Sequence, residues 1–349
     1  MKPRPGIRPV LFLILFTMLS SCSSGAPVAD EPARSPSPPP SATATIVETA
    51  AAVPPTTTPV PPTVSPVASV ELPTATATVR PPVIAGYIGY IVEEGKTLEE
   101  IARLAGSDPG LIWRYNRLAG EPQPGRELIL PVLEGRRPAI ESQPLIVNKG
   151  NTRNPWVALT LDAGAGSAPT PRILAALRER GVRITFFLTG TWIRENPELV
   201  RQIVADGHEI ANHSYHHPAF PALTDAEIEE ELRLTEEALH EVVGPDVSIR
   251  PYFRPPYGDY DRRVLERLVA LGYLPIYWTF DSQDSIGDVK TPQYLLERVT
   301  GALPPEEMAG AIILAHCGSQ PTAEALPAIL DRFAAMGFEV RTLSDVLGP

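Results

Sequence analysis

Cysteine is almost absent from this chain of 349 residues: Cys22 and Cys317 are its only two, too few for a disulfide framework. Positive charge is also short. Lys plus Arg is 30 against 41 Asp plus Glu, so the formal net charge is −11, which argues against nucleic acid as the main partner. The apolar run Val10 to Leu19 falls short of the ~20 residues that a bilayer-spanning helix needs. Two enzyme signatures are missing as well. Gly164-x-Gly166 lacks the lysine of a phosphate-binding loop and the rest of a dinucleotide fingerprint, and no G-x-S-x-G nucleophile elbow occurs. His316-Cys317 does not make a thiol nucleophile, because adjacent side chains of a strand point to opposite faces; Cys317 is expected as a free, buried thiol.

Proline is in excess, 41 in all, with many in the first quarter, which implies a long unfolded segment beside a normally composed globular part. Lys2, Arg4 and Arg8 precede the short apolar run, and Leu19-Ser20-Ser21-Cys22 follows it. This resembles the lipobox of bacterial lipoproteins, and the resemblance implies a signal peptide over residues 1–22 with lipidation at Cys22. Residues 23–86, rich in Pro, Thr, Ala and Ser, carry no helical or strand period and are expected as a disordered spacer.

Residues 87–133 change character. Tyr90-Ile91-Val92 reads as a strand. Thr97 and Glu100 form a capping box for a helix with Leu98, Ile101, Ala102 and Leu104 on its apolar face. Asp108-Pro109 opens a second helix that ends at Asn116, and Pro124-Gly125 turns into the strand Leu128 to Val132. With Gly95-Lys96-Thr97-Leu98 and Pro124-Gly125-Arg126-Glu127-Leu128, this β-α-α-β unit resembles a LysM module, which implies binding of N-acetylglucosamine-containing glycans. Residues 134–154 are expected as a linker.

From 155 to 349 strand and helix alternate. Trp156 to Leu161, Ile184 to Leu188, Ile276 to Trp278 and Ile312 to Leu314 read as strands, and Gly181, Gly207, Gly272 and Gly337 each close a helix before the next strand. Repeated units of this kind predict an α/β fold with a parallel sheet, a closed or nearly closed (β/α) barrel with its chemistry at the C-terminal strand ends. Polar residues collect at those ends: Asp162, His213, His217, Arg254, Asp281, Asp284 and His316. Three of the chain's six histidines lie in Asn212-His213-Ser214-Tyr215-His216-His217, and the four-residue spacing of His213 and His217 suits paired imidazole ligands for a zinc-like metal.

These segments resemble the NodB-homology polysaccharide deacetylases from Trp156 to Gly348. The motifs are Thr160-Leu161-Asp162-Ala163-Gly164, His213-Ser214-Tyr215-His216-His217, Arg254-Pro255-Pro256-Tyr257-Gly258, Asp281-Ser282-Gln283-Asp284-Ser285 and Leu314-Ala315-His316. The resemblance implies a divalent metal, zinc before cobalt, on His213 and His217. It implies Asp162 as general base held by Arg254, and His316 as general acid tuned by Asp284. Tyr257 would lend its backbone to the oxyanion, Leu314 would line the acetyl pocket, and Asn212 would contribute to the substrate site by orienting His213.

Two positions depart from the family pattern. Its usual third metal ligand, an aspartate, is Ala163 here, and the tryptophan that closes its fourth motif is Ser285. The metal is then held by His213 and His217 with waters or with Asp162, or by a residue of another loop, or the domain binds glycan without catalysis. The expected protein is a monomeric, lipid-anchored, extracytoplasmic envelope protein acting on peptidoglycan or a chitin-like glycan as an N-deacetylase. A catalytically inactive wall-binding protein and an O-deacetylase are the alternatives.

Overall fold

The computed structural model describes residues 82–348. These residues belong to one compact unit. Cys22, the signal segment and most of the spacer lie outside the described residues.

The small N-terminal portion has the β-α-α-β order that its caps dictate. Strand β1 (Ile84–Ile91) pairs antiparallel with β2 (Glu127–Leu133) across helices α1 (Leu98–Ala105) and α2 (Pro109–Tyr115). Thr97 and Glu100 exchange the capping-box bonds, and Asp108 Oδ1 accepts from Leu111 N at 2.8 Å. Asn116 does more than end α2. Its buried amide donates to Ile112 O and Ile129 O and accepts from Ile129 N, which ties the helix to β2. β1 starts at Ile84, inside the stretch read as spacer. Gly86 and Gly89 dilute its strand signal, and pairing with β2 supplies what the local sequence lacks.

The larger portion runs β3 (Trp156–Ala163), α3 (Thr170–Glu179), β4 (Thr185–Leu188), α4 (Gly190–Glu195), α5 (Pro197–Ala205), β5 (Glu209–Asn212), α6 (Asp225–Val243), β6 (Tyr252–Phe253), α7 (Arg262–Ala270), β7 (Leu274–Pro275), β8 (Phe280–Asp281), α8 (Pro292–Gly301), α9 (Pro305–Met308), β9 (Ile312–His316), α10 (Gln320–Ala335), β10 (Glu339–Arg341) and α11 (Leu343–Leu347). Eight strands form a curled parallel sheet in the order β7-β6-β5-β4-β3-β9-β8, with β10 also pairing β3. The strand expected at Ile276 to Trp278 is displaced: β7 ends at Pro275, and Tyr277 and Trp278 instead stack their rings at 3.9 Å.

The stretch expected as a linker, 134–154, is structural. Val147 bridges Ile276 just after β7, and Lys149 bridges Ala311 just before β9, so this segment spans the gap that the sheet order leaves open. Leu145 and Val147 are buried with Ala158, Phe187, Ala211 and Ile312 inside the curl. The alternate residues Val157, Leu159, Leu161 and Ala163 of β3 face the helical layer. This two-sided burial sends Thr160 and Asp162 to the inner face, where the site forms.

Candidate functional site

Asp162 is the penultimate residue of β3 and is 4% exposed. Its Oδ1 accepts from Arg254 Nη1 at 2.6 Å, and the same nitrogen donates to Thr160 Oγ1 at 2.9 Å. Arg254 follows β6, is wholly enclosed, and lies with its guanidinium carbon 4.0 Å from the centroid of the Phe187 ring. Burial lowers the pKa of Arg254, and the charge of Asp162 works against that shift.

The histidine stretch is a loop between β5 and α6. His213 Nδ1 lies 2.9 Å from Arg254 O. A carbonyl only accepts, so Nδ1 carries the proton and Nε2 carries the lone pair. Burial depresses the pKa of His213 to about 4, which keeps the ring neutral near pH 7. His217 packs edge to face on His213, with ring centroids 4.8 Å apart, and burial lowers its pKa too. Ser214 and His217 hold φ of 67° and 62°, left-handed backbone that non-glycine residues adopt only when held. Glu231 of α6, which sequence reasoning missed, holds the two residues between them. It accepts from Tyr215 N at 2.9 Å and His216 N at 2.8 Å, and binds the His216 ring at 2.7 Å. A signal existed, because Ile228, Glu231, Leu232 and Thr235 share the buried face of α6.

Asn212, expected at the substrate site, is fully enclosed and does not line the cleft. Its amide donates to Leu232 O and Tyr273 Oη and accepts from Ser214 N, so it orients the loop from beneath.

His316 ends β9, the strand beside β3. Its Nδ1 is 2.7 Å from Asp284 Oδ1, and Asp284 Oδ2 accepts from His316 N at 2.9 Å and Thr322 Oγ1 at 2.6 Å. Burial opposes charge on His316, but the bond and charge of Asp284 outweigh it, and the pKa of His316 is raised. The pKa of Asp284 is lowered in turn, against its own burial. Asp281 lines the cleft, and its Oδ1 also accepts from Gln283 N at 2.6 Å, a loop-fixing contact.

Asp162, His213, His217, Asp281 and His316 open together onto a cavity of about 670 Å³. Leu314 forms part of its wall. Tyr257 stands at its edge, 72% exposed, with φ of 59° and its ring 4.5 Å from that of His217. Trp278 lines the same cavity, as does Ser285, so an indole faces the cleft although the fourth motif lacks its tryptophan. Gly258 makes room for it: φ is +67°, and a Cβ there would come within 2.6 Å of Trp278.

The donor set can be tested against a divalent cation. His213 Nε2, which bears no proton, faces Asp162 Oδ2 at 3.4 Å. Among the described residues, however, no group of three or more His, Cys, Asp or Glu is arranged as a ready metal cage. Ala163 is buried on the helix-facing side of β3 and contributes no donor. The residues therefore offer a cation the two imidazoles of His213 and His217, with water rather than a third side chain left to complete the set. Cys317 is a free, buried thiol, as expected, on the helix-facing side of β9, and burial raises its pKa.

A family model described as "Polysaccharide deacetylase" matches residues 149–276. The chain is 33% identical over 206 residues to the uncharacterized protein YlxY of Bacillus subtilis, aligning 59% of this chain with 61% of that one. It is 31% identical over 199 residues to the peptidoglycan-N-acetylmuramic acid deacetylase PdaA of the same species, covering 57% of this chain and 73% of that one. It is 33% identical over 223 residues to the chitooligosaccharide deacetylase of Rhizobium leguminosarum bv. trifolii, covering 60% of this chain and 98% of that one. Among solved structures, BA3943 of Bacillus anthracis, described as a CE4 family pseudoenzyme, superposes with TM-score 0.54 at 30% identity, over 59% of this chain and 69% of that one. Sequence similarity, the curled parallel sheet and the five motifs at its rim agree: the chain belongs to the polysaccharide deacetylases, a family of hydrolases that remove acetyl groups from glycans.

Proposed function

We propose that this chain hydrolyses N-acetyl groups of a cell-wall amino-sugar polymer, with peptidoglycan as the substrate. The observation that carries the proposal is the placement of two ion pairs side by side on one cleft, Asp162 with Arg254 and His316 with Asp284, since Asp162 and His316 are register partners on the neighbouring strands β3 and β9. Asp162 Oδ2, the oxygen that Arg254 does not occupy, takes the proton of the attacking water. Arg254 holds that carboxylate in register. His316, kept protonated by Asp284, gives its proton to the amine nitrogen as the amide C–N bond breaks, so acetate and a free amine leave. Leu314 packs against the acetyl methyl group, and the backbone at Tyr257 faces the developing oxyanion. A divalent cation, zinc in the first instance, would be held by His213 and His217 with waters in its other positions, and it would supply polarisation of the acetamide carbonyl.

The curated relatives PdaA and the Rhizobium enzyme are named for peptidoglycan and chitooligosaccharide, which supports an amino-sugar glycan as the substrate class. The small β-α-α-β portion, read as LysM-like, would hold the same wall polymer. The lipobox at Cys22 would anchor the chain to the outer side of the membrane as a monomer.

Ala163 favours a second reading, a wall-binding member without catalysis. The two readings part in one experiment: acetate release by the full chain from peptidoglycan and chitin oligomers, with bound metal counted, beside His213→Ala and His316→Ala. The proposal expects acetate from the wild type, lost in both variants, with metal lost in His213→Ala. Glycan binding with no acetate, even with zinc or cobalt added, leaves the second reading.

A further inference from the structure

We infer that Tyr115 of the small portion is a positioning residue for the histidine loop, acting across the whole height of the barrel through a buried hydrogen-bond relay. The inference rests on the proposed function only in treating that loop as the functional one.

The small portion docks at the N-terminal strand ends, opposite the cleft, through two polar anchors. One is Arg117, whose guanidinium reaches Glu209 Oε1 at 2.9 Å, Ser248 O at 2.8 Å and Arg250 O at 2.6 Å. The other is Tyr115, whose hydroxyl donates to Gly272 O at 2.6 Å and accepts from Arg250 Nη1 at 3.3 Å. Gly272, with φ of +84°, admits this contact. A Cβ there would overlap the Tyr115 hydroxyl and come within 2.9 Å of Arg250 Nη1.

The Tyr115 anchor meets the Arg250 guanidinium, from which hydrogen bonds continue to the loop, whereas Arg117 meets Arg250 only at its backbone carbonyl. Arg250 Nη2 lies 2.7 Å from Glu236 Oε1 of α6, and the Arg250 guanidinium sits 4.4 Å from the centroid of the Tyr273 ring. The Tyr273 hydroxyl donates to Glu236 and accepts from Asn212 Nδ2 at 3.0 Å. Asn212 Oδ1 accepts from Ser214 N at 2.8 Å, and Ser214 Oγ accepts from His217 N at 3.0 Å. Tyr273, Asn212 and Ser214 are fully enclosed, so water cannot replace a lost partner at those links. The relay ends on the two residues with left-handed backbone, Ser214 and His217, which keep that conformation only while the surroundings fix it. The Arg117 anchor ends instead at the backbone carbonyls of Ser248 and Arg250 and at Glu209, which bonds Thr185 and Ser344 at the N-terminal rim.

The relay is tested by hydrogen–deuterium exchange on the full chain, following peptides that cover residues 212–217. Tyr115→Phe removes one hydroxyl and keeps the ring. Arg117→Ala removes the other anchor and serves as the control for docking alone. Tyr115→Phe is expected to speed exchange in the loop about fivefold, the effect of losing one buried hydrogen bond of ~1 kcal/mol. Arg117→Ala is expected to lower the unfolding midpoint without changing loop exchange. The double variant Tyr115→Phe/Tyr273→Phe is expected to exchange no faster than Tyr273→Phe alone, since both break one chain. Equal loop exchange in the Tyr115 and Arg117 variants, no change in Tyr115→Phe, or additive effects in the double variant would overturn the relay. If Tyr273→Phe does not fold, the comparison of the Tyr115 and Arg117 variants still decides. Zinc affinity, measured by competition with a chelating dye in the same proteins, separates the two ideas: a wild type that binds no zinc defeats the metal assignment and leaves the exchange result standing.

Discussion

Asp162 and Arg254 are a buried ion pair, and such pairs respond asymmetrically to substitution. Removing one partner strands the other charge; removing both leaves only a packing defect. Arg254→Met is therefore expected to cost about 3 kcal/mol of stability, read as a lower urea midpoint, with acetate release abolished. Arg254→Met/Asp162→Leu is expected to recover most of that stability and none of the activity. If the double variant is as unstable as the single one, packing rather than charge holds the pair. The other pair sets the pH dependence. The pKa of His316 is raised, so its stabilising contribution is fully present below the unfolded value near ~6.5 and is lost as pH rises through the folded value. The pKa of Asp284 is lowered, so its contribution is present above ~3.9 and is lost as pH falls through the folded value. Asp284→Asn removes the charge that outweighs the burial of His316. The alkaline limb of kcat/KM, which needs a protonated ring, then moves to lower pH, and a limb that stays in place would remove His316 from the general-acid role. These rim residues were legible in the sequence because each is an ionisable group just after an apolar strand. Trp278 was not. It follows Ile276 and Tyr277 and reads as one more strand residue, and only the early end of β7 at Pro275 turns it toward the cleft. Asn212 sits beside a histidine in sequence and faces away from the substrate in space.

At the scale of elements, the caps were legible and the short strands were not. Thr97 with Glu100, and Asp108 before Pro109, are local signals, and each starts a helix where expected. β6, β7 and β8 have two residues each and exist because neighbouring strands pair with them, which no window of sequence contains. The loop between β5 and α6 depends on one carboxylate in the same non-local way. Glu231 is mostly buried and serves two backbone N–H groups and the His216 ring. Glu231→Ala leaves those N–H groups unpaired, at about 1–3 kcal/mol, and frees the loop that carries both metal-ligand candidates. The expected outcome is a lower unfolding midpoint together with zinc affinity reduced about 10–100-fold. Glu231→Gln keeps one acceptor oxygen and is expected to fall between wild type and Glu231→Ala on both measures; a Gln variant as poor as Ala would show that charge, not acceptance, secures the loop.

On the scale of the molecule, the sequence suggests separate modules on a string, and the structure joins them. Tyr115 and Arg117 look like ordinary polar residues around a helix end, and nothing local reveals that their partners lie between residues 209 and 272. The segment 134–154 has the length and polarity of a linker, yet it carries Val147 and Lys149 into the gap of the sheet. Ile129 of β2 is fully buried with Leu145, Tyr252, Val269 and Leu274, so the small portion seals part of the barrel's apolar interior. A chain beginning at residue 134 loses that isoleucine, worth about 1.5–3 kcal/mol of burial, and both polar anchors. Its unfolding midpoint is expected to drop on the order of 10 °C, given about 2–4 °C per kcal/mol for a domain of this size. A chain beginning at residue 155 also loses Val147 and Lys149, opening the sheet between β7 and β9. That chain is expected to bind a dye for exposed apolar surface and to show no cooperative melt. Differential scanning calorimetry on the full chain and the two truncations orders them. If the chain from residue 155 melts as sharply and as high as the full chain, the barrel is self-sufficient and the small portion is a passenger on it. A stepwise loss makes the small portion part of the fold that presents Asp162, His213 and His316 to the cleft.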